Sequence, residues 1–196
     1  MTLHSILDIA GLAVGSVHCT IPLFWLVFHP FVERWRIYGR KAYLLIMPAW
    51  GAFIAAAFAL GWRFRHLHLY DSKVPWALGV AFILAGFSIY RSASQGFDRA
   101  KISGLAELEP GDHDQTLVVT GIRTQVRHPI YLGHLCEVFG WTVGTGSIAL
   151  CGLLLFAAIT GAIMIRKEDA ELEARFGDLY REYRDTVPAL LPKFPI

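Results

Sequence analysis

A short basic and aromatic motif precedes an apolar stretch in the C-terminal half of the chain. It consists of Arg127, His128, Pro129 and, after one intervening residue, Tyr131. Proline is favoured at the first position of a helix, so Pro129 predicts that a helix begins there, with His128 at or beside its cap. The free N–H groups of such a terminus attract an anion, and Arg127 adds a carboxylate-shaped fork. The alternative is an interfacial anchor at the level of lipid headgroups.

A second motif, which is acidic, follows the last apolar stretch. Glu168 lies one helical turn before Leu172, and the spacing of Leu172 and Phe176 places all three on one helix face. Gly177 is a typical residue for the end of that helix. A carboxylate on an apolar face is costly unless it meets a donor, such as a ribose hydroxyl or a cationic group. The alternative is a solvated charged face on a helical tail.

The composition indicates the kind of protein that must position these motifs. Of the 196 residues, 55% are hydrophobic and 17% are charged, whereas soluble domains carry about 25% charged residues. The chain is therefore expected to be a polytopic membrane protein, and a disordered or nucleic-acid-wrapping chain is excluded. The net charge of +2 gives no reason to expect nucleic acid as a partner. Neither a disulfide nor a zinc site is predicted from the three cysteines, which are Cys19, Cys136 and Cys151.

A helix needs about 20 apolar residues to cross a bilayer. Four stretches come close to that length, at 6–28, 42–60, 74–90 and 147–165. A fifth stretch, at 130–143, has only 14 residues, which favours a half-span or re-entrant helix. Small residues at 144–146 favour a tight turn, so the last two stretches predict a helical hairpin. The predicted fold is all-α, with three full transmembrane helices, a C-terminal hairpin (about five membrane helices in total) and a cytoplasmic helical tail.

The distribution of Lys and Arg predicts the orientation of these helices. Fifteen of the 18 basic residues follow the first, third or fifth stretch, and three follow the second. Because basic residues collect on the cytoplasmic side, we expect the N-terminus outside and the C-terminus in the cytoplasm. The hairpin begins and ends on the same side, so both motifs face the cytoplasm. Residues 1–196 are predicted to form a single membrane-embedded domain, with N-terminal helices in 1–91 and a cofactor-binding catalytic half in 92–196.

Taken together, the two motifs resemble the C-terminal half of the isoprenylcysteine carboxyl methyltransferase and phospholipid methyltransferase superfamily. That family has R-H-P-x-Y before a helical hairpin and E-E-x-x-L-x-x-x-F-G-x-x-Y-x-x-Y after it. This chain has R-H-P-I-Y at 127–131 and E-D-A-E-L-E-A-R-F-G-D-L-Y-R-E-Y at 168–183. The second carboxylate is Asp169 rather than glutamate, and the resemblance extends over about 121–192.

The resemblance implies an integral membrane enzyme that binds S-adenosylmethionine from the cytosol and methylates a lipid-embedded acceptor. The leading expectation is O-methylation of an isoprenylcysteine-type carboxyl group, with S-adenosylhomocysteine as the second product. Arg127 and Glu168 are expected at the catalytic centre, with Tyr131 close to the sulfonium for cation–π attraction. The expected partners are the bilayer and a lipidic or prenylated small molecule, and the expected oligomeric state is a monomer. The implied cofactor-binding residues are His128, Pro129, Tyr131, Glu168, Asp169 and Leu172.

The protonation state of the acceptor decides whether a base is required. A carboxylate or thiolate needs none, whereas an ammonium group must first lose a proton. Glu137 and His134 lie in the 130–143 stretch and are the candidate bases. We include Glu137 among the predicted catalytic residues because an intramembrane carboxylate suggests a functional site. The structural alternative for Glu137 is pairing with His18 or with another helix.

Other functions stay open at this level. They are N-methylation of a phospholipid ethanolamine head group, a non-enzymatic membrane scaffold or sensor, and a haem or metal carrier that uses His18, His29 and His134. No metal site is predicted, because the spacing of the histidines shows no pattern that compels one. His66 and His68 could share a metal only if their segment were a strand.

Overall fold

The computed structural model describes residues 3–95, 99–112 and 116–192, and these form a helical bundle. Three short 3-10 segments connect some of the helices, at His29–Phe31, Gly39–Ala42 and Gly121–Thr124. The α-helices of the described residues, numbered in chain order, are α1 (Leu3–Phe28), α2 (Val32–Arg36), α3 (Tyr43–Arg63), α4 (Trp76–Ala93), α5 (Arg99–Ser103), α6 (Leu105–Leu108), α7 (Pro129–Thr145), α8 (Ile148–Phe176) and α9 (Asp178–Thr186).

Four helical segments of the described residues are long and apolar enough to cross a membrane. They overlap the four long apolar stretches of the sequence, so the prediction of an all-α polytopic membrane protein is confirmed. The apolar side chains that α3 and α4 expose, such as Leu44, Leu84 and Phe87, are suited to contact with lipid. The bounds of the four segments are His4–Arg36, Gly39–Arg63, Trp76–Ala93 and Ile148–Phe176.

The short helix α7 is enclosed by other helices. It packs against α4 over most of its length and also against α1 and α8. Glycines make the approach to α4 close, since a Cβ atom added to Gly140 would lie 2.6 Å from the Gly79 carbonyl oxygen. Small residues at such positions allow helix backbones to approach each other inside a membrane. α7 has only 17 residues, and its packing against the neighbouring helices therefore stabilises it.

The hairpin turn is shorter than the sequence predicted. Small residues at 144–146 suggested a turn of three, but α7 continues through Thr145, and only Gly146 and Ser147 connect it to α8. Gly146 has a φ of +65°, which favours glycine. The Ser147 hydroxyl accepts from the backbone N–H of Leu150 and so caps α8. The two-residue connection folds α8 back along α7, which brings the start of α7 to the C-terminal part of α8.

Both predicted helix ends beside the motifs are confirmed. α7 begins at Pro129, and His128 occupies its N-cap position. α8 runs without interruption to Phe176 and ends at Gly177, which has a φ of +59°. The apolar stretch and the acidic motif therefore share one helix, as the spacing of Glu168, Leu172 and Phe176 predicted.

Candidate active site

A cavity of about 610 Å³ lies where the start of α7 meets the C-terminal part of α8. This volume is within the range of small-molecule sites, about 300–1,000 Å³. One part of its wall is apolar and comes from α1 and α3, including Trp25, Met47 and Trp50. The other part is polar and comes from the two motifs and from other segments, including α5 and α6. Five of the six predicted cofactor-binding residues line the cavity, namely His128, Pro129, Tyr131, Glu168 and Leu172.

The sixth, Asp169, lies behind the cavity wall and connects the two motifs. Its carboxylate accepts from Arg127 Nη2 at 2.8 Å, from His128 Nε2 at 2.8 Å and from the Tyr180 hydroxyl at 2.5 Å. Burial and the bond to Asp169 raise the pKa of Tyr180, so its hydroxyl keeps the proton that it donates. Asp169 is absent from the residues that line the described cavity. Its observed contacts are those of a residue that positions Arg127 and His128.

Glu168 points the other way and lines the cavity. Consecutive residues of an α-helix are about 100° apart, so the two carboxylates face different sides of α8. Glu168 Oε2 lies 3.3 Å from His128 Nδ1. That oxygen is buried and has no hydrogen bond within the described part of the chain. The His128 ring is thus held between two carboxylates, and Glu168 keeps an acceptor available at the cavity.

The charge of His128 follows from this environment. Burial lowers its pKa, but the charge of Glu168 and the hydrogen bond to Asp169 outweigh burial and raise the pKa to about 9. His128 is therefore protonated at neutral pH. The cation offsets part of the negative charge that Glu168 and Asp169 bring to this end of α8.

We expect the unfolding temperature of the protein to fall as the pH rises from about 7 to above 9. The pKa of His128 is raised in the folded chain from 6.5 to about 9. Its stabilising contribution is therefore fully present below pH 6.5 and is lost as the pH rises through 9. Thermal unfolding in detergent, measured across this range, should show the decrease in the wild type and a smaller one in His128→Gln. Equal slopes for the two proteins would contradict the expectation.

The start of α7 is also fixed by the segment that follows α9. The backbone N–H groups of Arg127 and His128 donate to the carbonyls of Pro188 and Ala189 at 2.9 and 3.0 Å. Arg127 Nη1 donates to the carbonyls of Arg184 and Val187. The guanidinium thus contacts Asp169 and backbone carbonyls. The expectation that Arg127 helps to bind an anion at the start of α7 stays a prediction.

Glu137 and His134 occupy different positions relative to the cavity. His134 lines it, and the Tyr90 hydroxyl is hydrogen-bonded to His134 Nδ1. Glu137 Oε2 lies 3.4 Å from His18 Nδ1, which is the pairing weighed as the structural alternative. Glu137 is not among the described residues that line the cavity. Its catalytic role stays a prediction, and His134 is the nearer of the two candidate bases.

His29 and Glu107 also line the polar wall. No motif in the sequence assigns either residue to this cavity. His29 follows α1, and Glu107 lies in α6, so neither belongs to the two motifs. The Nδ1 atom of His29 and Oε2 of Glu107 lie 3.0 Å apart. No spacing rule joins residues 29 and 107, and only the folded chain reveals their proximity.

The fold and the cavity define a helical membrane protein whose site lies at the open end of a hairpin. Over 87 residues the chain is 37% identical to protein-S-isoprenylcysteine O-methyltransferase of Schizosaccharomyces pombe, a match that covers 42% of this chain and 35% of the relative. The Xenopus laevis protein of the same name is 29% identical over 128 residues, or 61% of this chain and 42% of the relative. Methanethiol S-methyltransferase 2 of Bradyrhizobium diazoefficiens is 29% identical over 177 residues, or 87% of this chain and 54% of the relative.

These similarities confirm the resemblance that the two motifs indicated. The chain is similar to methyltransferases of the isoprenylcysteine carboxyl methyltransferase type. It spans 35 to 54% of the length of the three relatives. No protein-family model and no solved structure matches the chain.

Proposed function

We propose that the chain is an S-adenosylmethionine-dependent methyltransferase that acts on a lipidic acceptor, with O-methylation of an isoprenylcysteine-type carboxylate as its reaction. The observation that carries the proposal is the single cavity wall formed by both motifs. His128, Pro129 and Tyr131 from the first motif meet Glu168 and Leu172 from the second there. The names of the relatives support the same reaction class.

The polar part of the cavity fits S-adenosylmethionine. The buried Glu168 Oε2 has no hydrogen bond within the described residues, so it is available to accept from ribose hydroxyls. Tyr131 presents an aromatic ring for attraction to a sulfonium. The cofactor supplies an electrophilic methyl group when bound. The residues of the chain have to bind it, align it with the nucleophile and exclude water.

The apolar part of the cavity suits the hydrophobic portion of an acceptor. Phe24 and Trp25 from α1 and Met47 and Trp50 from α3 contribute to it. A carboxylate acceptor is already nucleophilic, so the proposed reaction requires no base. Glu137, which contacts His18, is then free to stabilise the helix packing.

A thiol is a second candidate acceptor. Methanethiol S-methyltransferase 2, named for a thiol substrate, aligns with 87% of this chain, more than the two O-methyltransferase relatives described above. A thiolate is anionic and needs no base, so the same residues would serve. None of the three relatives described above is named for N-methylation of a phospholipid head group.

We also propose the orientation that the basic residues indicate, with the N-terminus outside and the cavity and tail in the cytoplasm. Lys101, Arg123 and Arg175 line the cavity, which fits the cytoplasmic excess of positive charge. One further basic residue of the predicted cytoplasmic tail, Lys193, lies outside the described residues. Since 1–91 and 92–196 both contribute lining residues, the proposed catalytic half works only together with the N-terminal helices.

We expect Glu168→Gln to weaken the binding of S-adenosylhomocysteine at least tenfold, about 1.4 kcal/mol. The amide keeps the size of the carboxylate but loses the charge-assisted acceptor for ribose hydroxyls. Titration into detergent-purified protein measures the affinity. Glu182→Gln is the matched control, because Glu182 is an exposed carboxylate of α9. Equal affinities for wild type and Glu168→Gln would contradict the assignment.

Methyl transfer is then measured with radiolabelled S-adenosylmethionine and a membrane lipid extract. A base-labile product supports a carboxyl acceptor, and a volatile thioether supports a thiol. A base-stable methylated head group would overturn the proposed acceptor in favour of an amine. No binding by folded wild-type protein would overturn the enzymatic function and leave a scaffold or sensor.

A further inference from the structure

A histidine and two glutamates from three distant segments converge beside the cavity. They are His29, directly after α1, Glu107 in α6 and Glu171 in α8. His29 Nδ1 lies 3.0 Å from Glu107 Oε2 and 3.8 Å from Glu171 Oε2. All three atoms lie within 4.8 Å of one another. We call this group the His29 cluster.

The facing atoms of the cluster are buried and make no hydrogen bond within the described part of the chain. His29 is 8% exposed, so it is more than nine-tenths buried. Two carboxylates at this separation repel each other, and their burial removes the water that would screen them. The other oxygen of Glu171, Oε1, lies 3.6 Å from Arg175. A positive charge among the three inward atoms would offset this repulsion.

We propose that the His29 cluster is a binding site for a divalent first-row metal ion such as Zn²⁺. One imidazole nitrogen and two carboxylate oxygens form a donor set that such ions accept. A tetrahedral ion with bonds of about 2.0–2.1 Å has its ligand atoms about 3.3 Å apart. The separations of 3.0 and 3.8 Å from His29 Nδ1 lie on either side of that value. The ion would leave a fourth position for water.

The site would connect three segments that are distant in the sequence. A metal ion would link the end of α1 to α6 and to the C-terminal part of α8. His29 and Glu107 line the cavity, so the ion would fix part of the cavity wall. The inference does not depend on methyl transfer, because it concerns a binding site formed by the residues themselves. An ion that binds the folded chain but not the unfolded chain would raise the stability of the protein.

A second possible ligand group has to be separated from this one. His4, Asp8 and His68 also place ligand atoms within 4.8 Å of one another. In that group His68 Nε2 is hydrogen-bonded to Asp8 Oδ1 at 3.2 Å, and the His4 side chain is 44% exposed. Unlike the His29 cluster, it has no buried ligand atom that lacks a hydrogen bond within the described residues. The test is therefore carried out on His68→Gln protein, in which this group has lost a ligand.

The experiment measures Zn²⁺ binding by chelator-treated His68→Gln protein in detergent. We expect one Zn²⁺ per chain, a rise in unfolding temperature that EDTA reverses, and a Kd at least tenfold weaker in Glu171→Gln. Glu33→Gln, which changes an exposed glutamate of α2, should bind as the parent does.

No stoichiometric Zn²⁺ in the parent, or equal affinity in Glu171→Gln, would overturn the metal site and leave a protonated His29 paired with two carboxylates. If Glu171→Gln fails to fold, Glu107→Gln replaces it, and the EDTA-reversible shift of the parent is still decisive. S-adenosylhomocysteine binding by the same samples tests the proposed function separately.

Discussion

Replacing Asp169 by asparagine is expected to destabilise the protein by about 3–5 kcal/mol, the cost of removing one partner from a buried ion pair. The Asp169 carboxylate accepts from Arg127, His128 and Tyr180. The side chains of Arg127 and His128 are only 8% and 4% exposed, so water cannot replace the lost carboxylate. Both cations would be left buried with weaker partners. Because His128 also orients Glu168, binding of S-adenosylhomocysteine should be lost together with stability.

Thermal unfolding in detergent and titration of S-adenosylhomocysteine measure the two effects. Asp178→Asn provides the matched control, because Asp178 pairs with Arg181 but its side chain is 84% exposed. We expect Asp178→Asn to change stability by no more than about 1 kcal/mol. An unfolding temperature for Asp169→Asn within the range of this control would contradict the positioning role of Asp169.

Replacing Gly140 by valine is expected to prevent the native packing of α7 on α4. A Cβ atom at position 140 would lie 2.6 Å from the Gly79 carbonyl oxygen and 3.0 Å from the Ile83 nitrogen. Those are backbone atoms of α4, so the clash cannot be relieved by a side-chain rotation. Overpacking in a tight core lowers the free energy of unfolding by about 1–3 kcal/mol. Because the neighbouring atoms belong to a rigid backbone, we expect a loss near the upper end of this range. We expect aggregation or a markedly lower unfolding temperature in detergent.

Valine at other helical glycines provides the controls. Gly51 in α3 and Gly152 in α8 have no neighbouring heavy atom within 4 Å of an added Cβ. Gly51→Val and Gly152→Val change helix propensity as Gly140→Val does, but they introduce no clash with a neighbouring helix. Size-exclusion profiles and unfolding temperatures of the three variants separate packing from propensity. Equal behaviour of Gly140→Val and the two controls would contradict the tight contact.

The parts of the fold that depend on local sequence were predictable. The lengths of the apolar stretches identified the helices, Pro129 identified the start of α7, and Gly177 identified the end of α8. The close meeting of both motifs followed from the hairpin, because the two motifs lie at similar distances along their helices from the short turn. These features depend on residues close in sequence or on one turn.

The different roles of the neighbouring carboxylates Glu168 and Asp169 could not be predicted from the sequence. Glu168 and Asp169 were both assigned to the cofactor, but Asp169 faces away from the cavity because one helical step rotates it to the side that contacts Arg127. The contact between His29 and Glu107 could not be predicted from the sequence either. It depends on how the end of α1 packs beside α6, and no periodic pattern encodes such a long-range contact.

The length of α8 has a consequence for the kinetics of the proposed reaction. The helix has 29 residues, or about 44 Å, and it rises about 30 Å from its first residue to Glu168. This rise equals the thickness of the hydrocarbon layer, about 30 Å. In the proposed orientation we therefore expect Glu168 at the boundary between lipid and water. A water-soluble methyl donor and a lipid-dissolved acceptor can then meet without either leaving its own phase. The rate of the proposed reaction would then depend on the molar concentration of the donor in the cytoplasm. It would also depend on the mole fraction of the acceptor in the membrane.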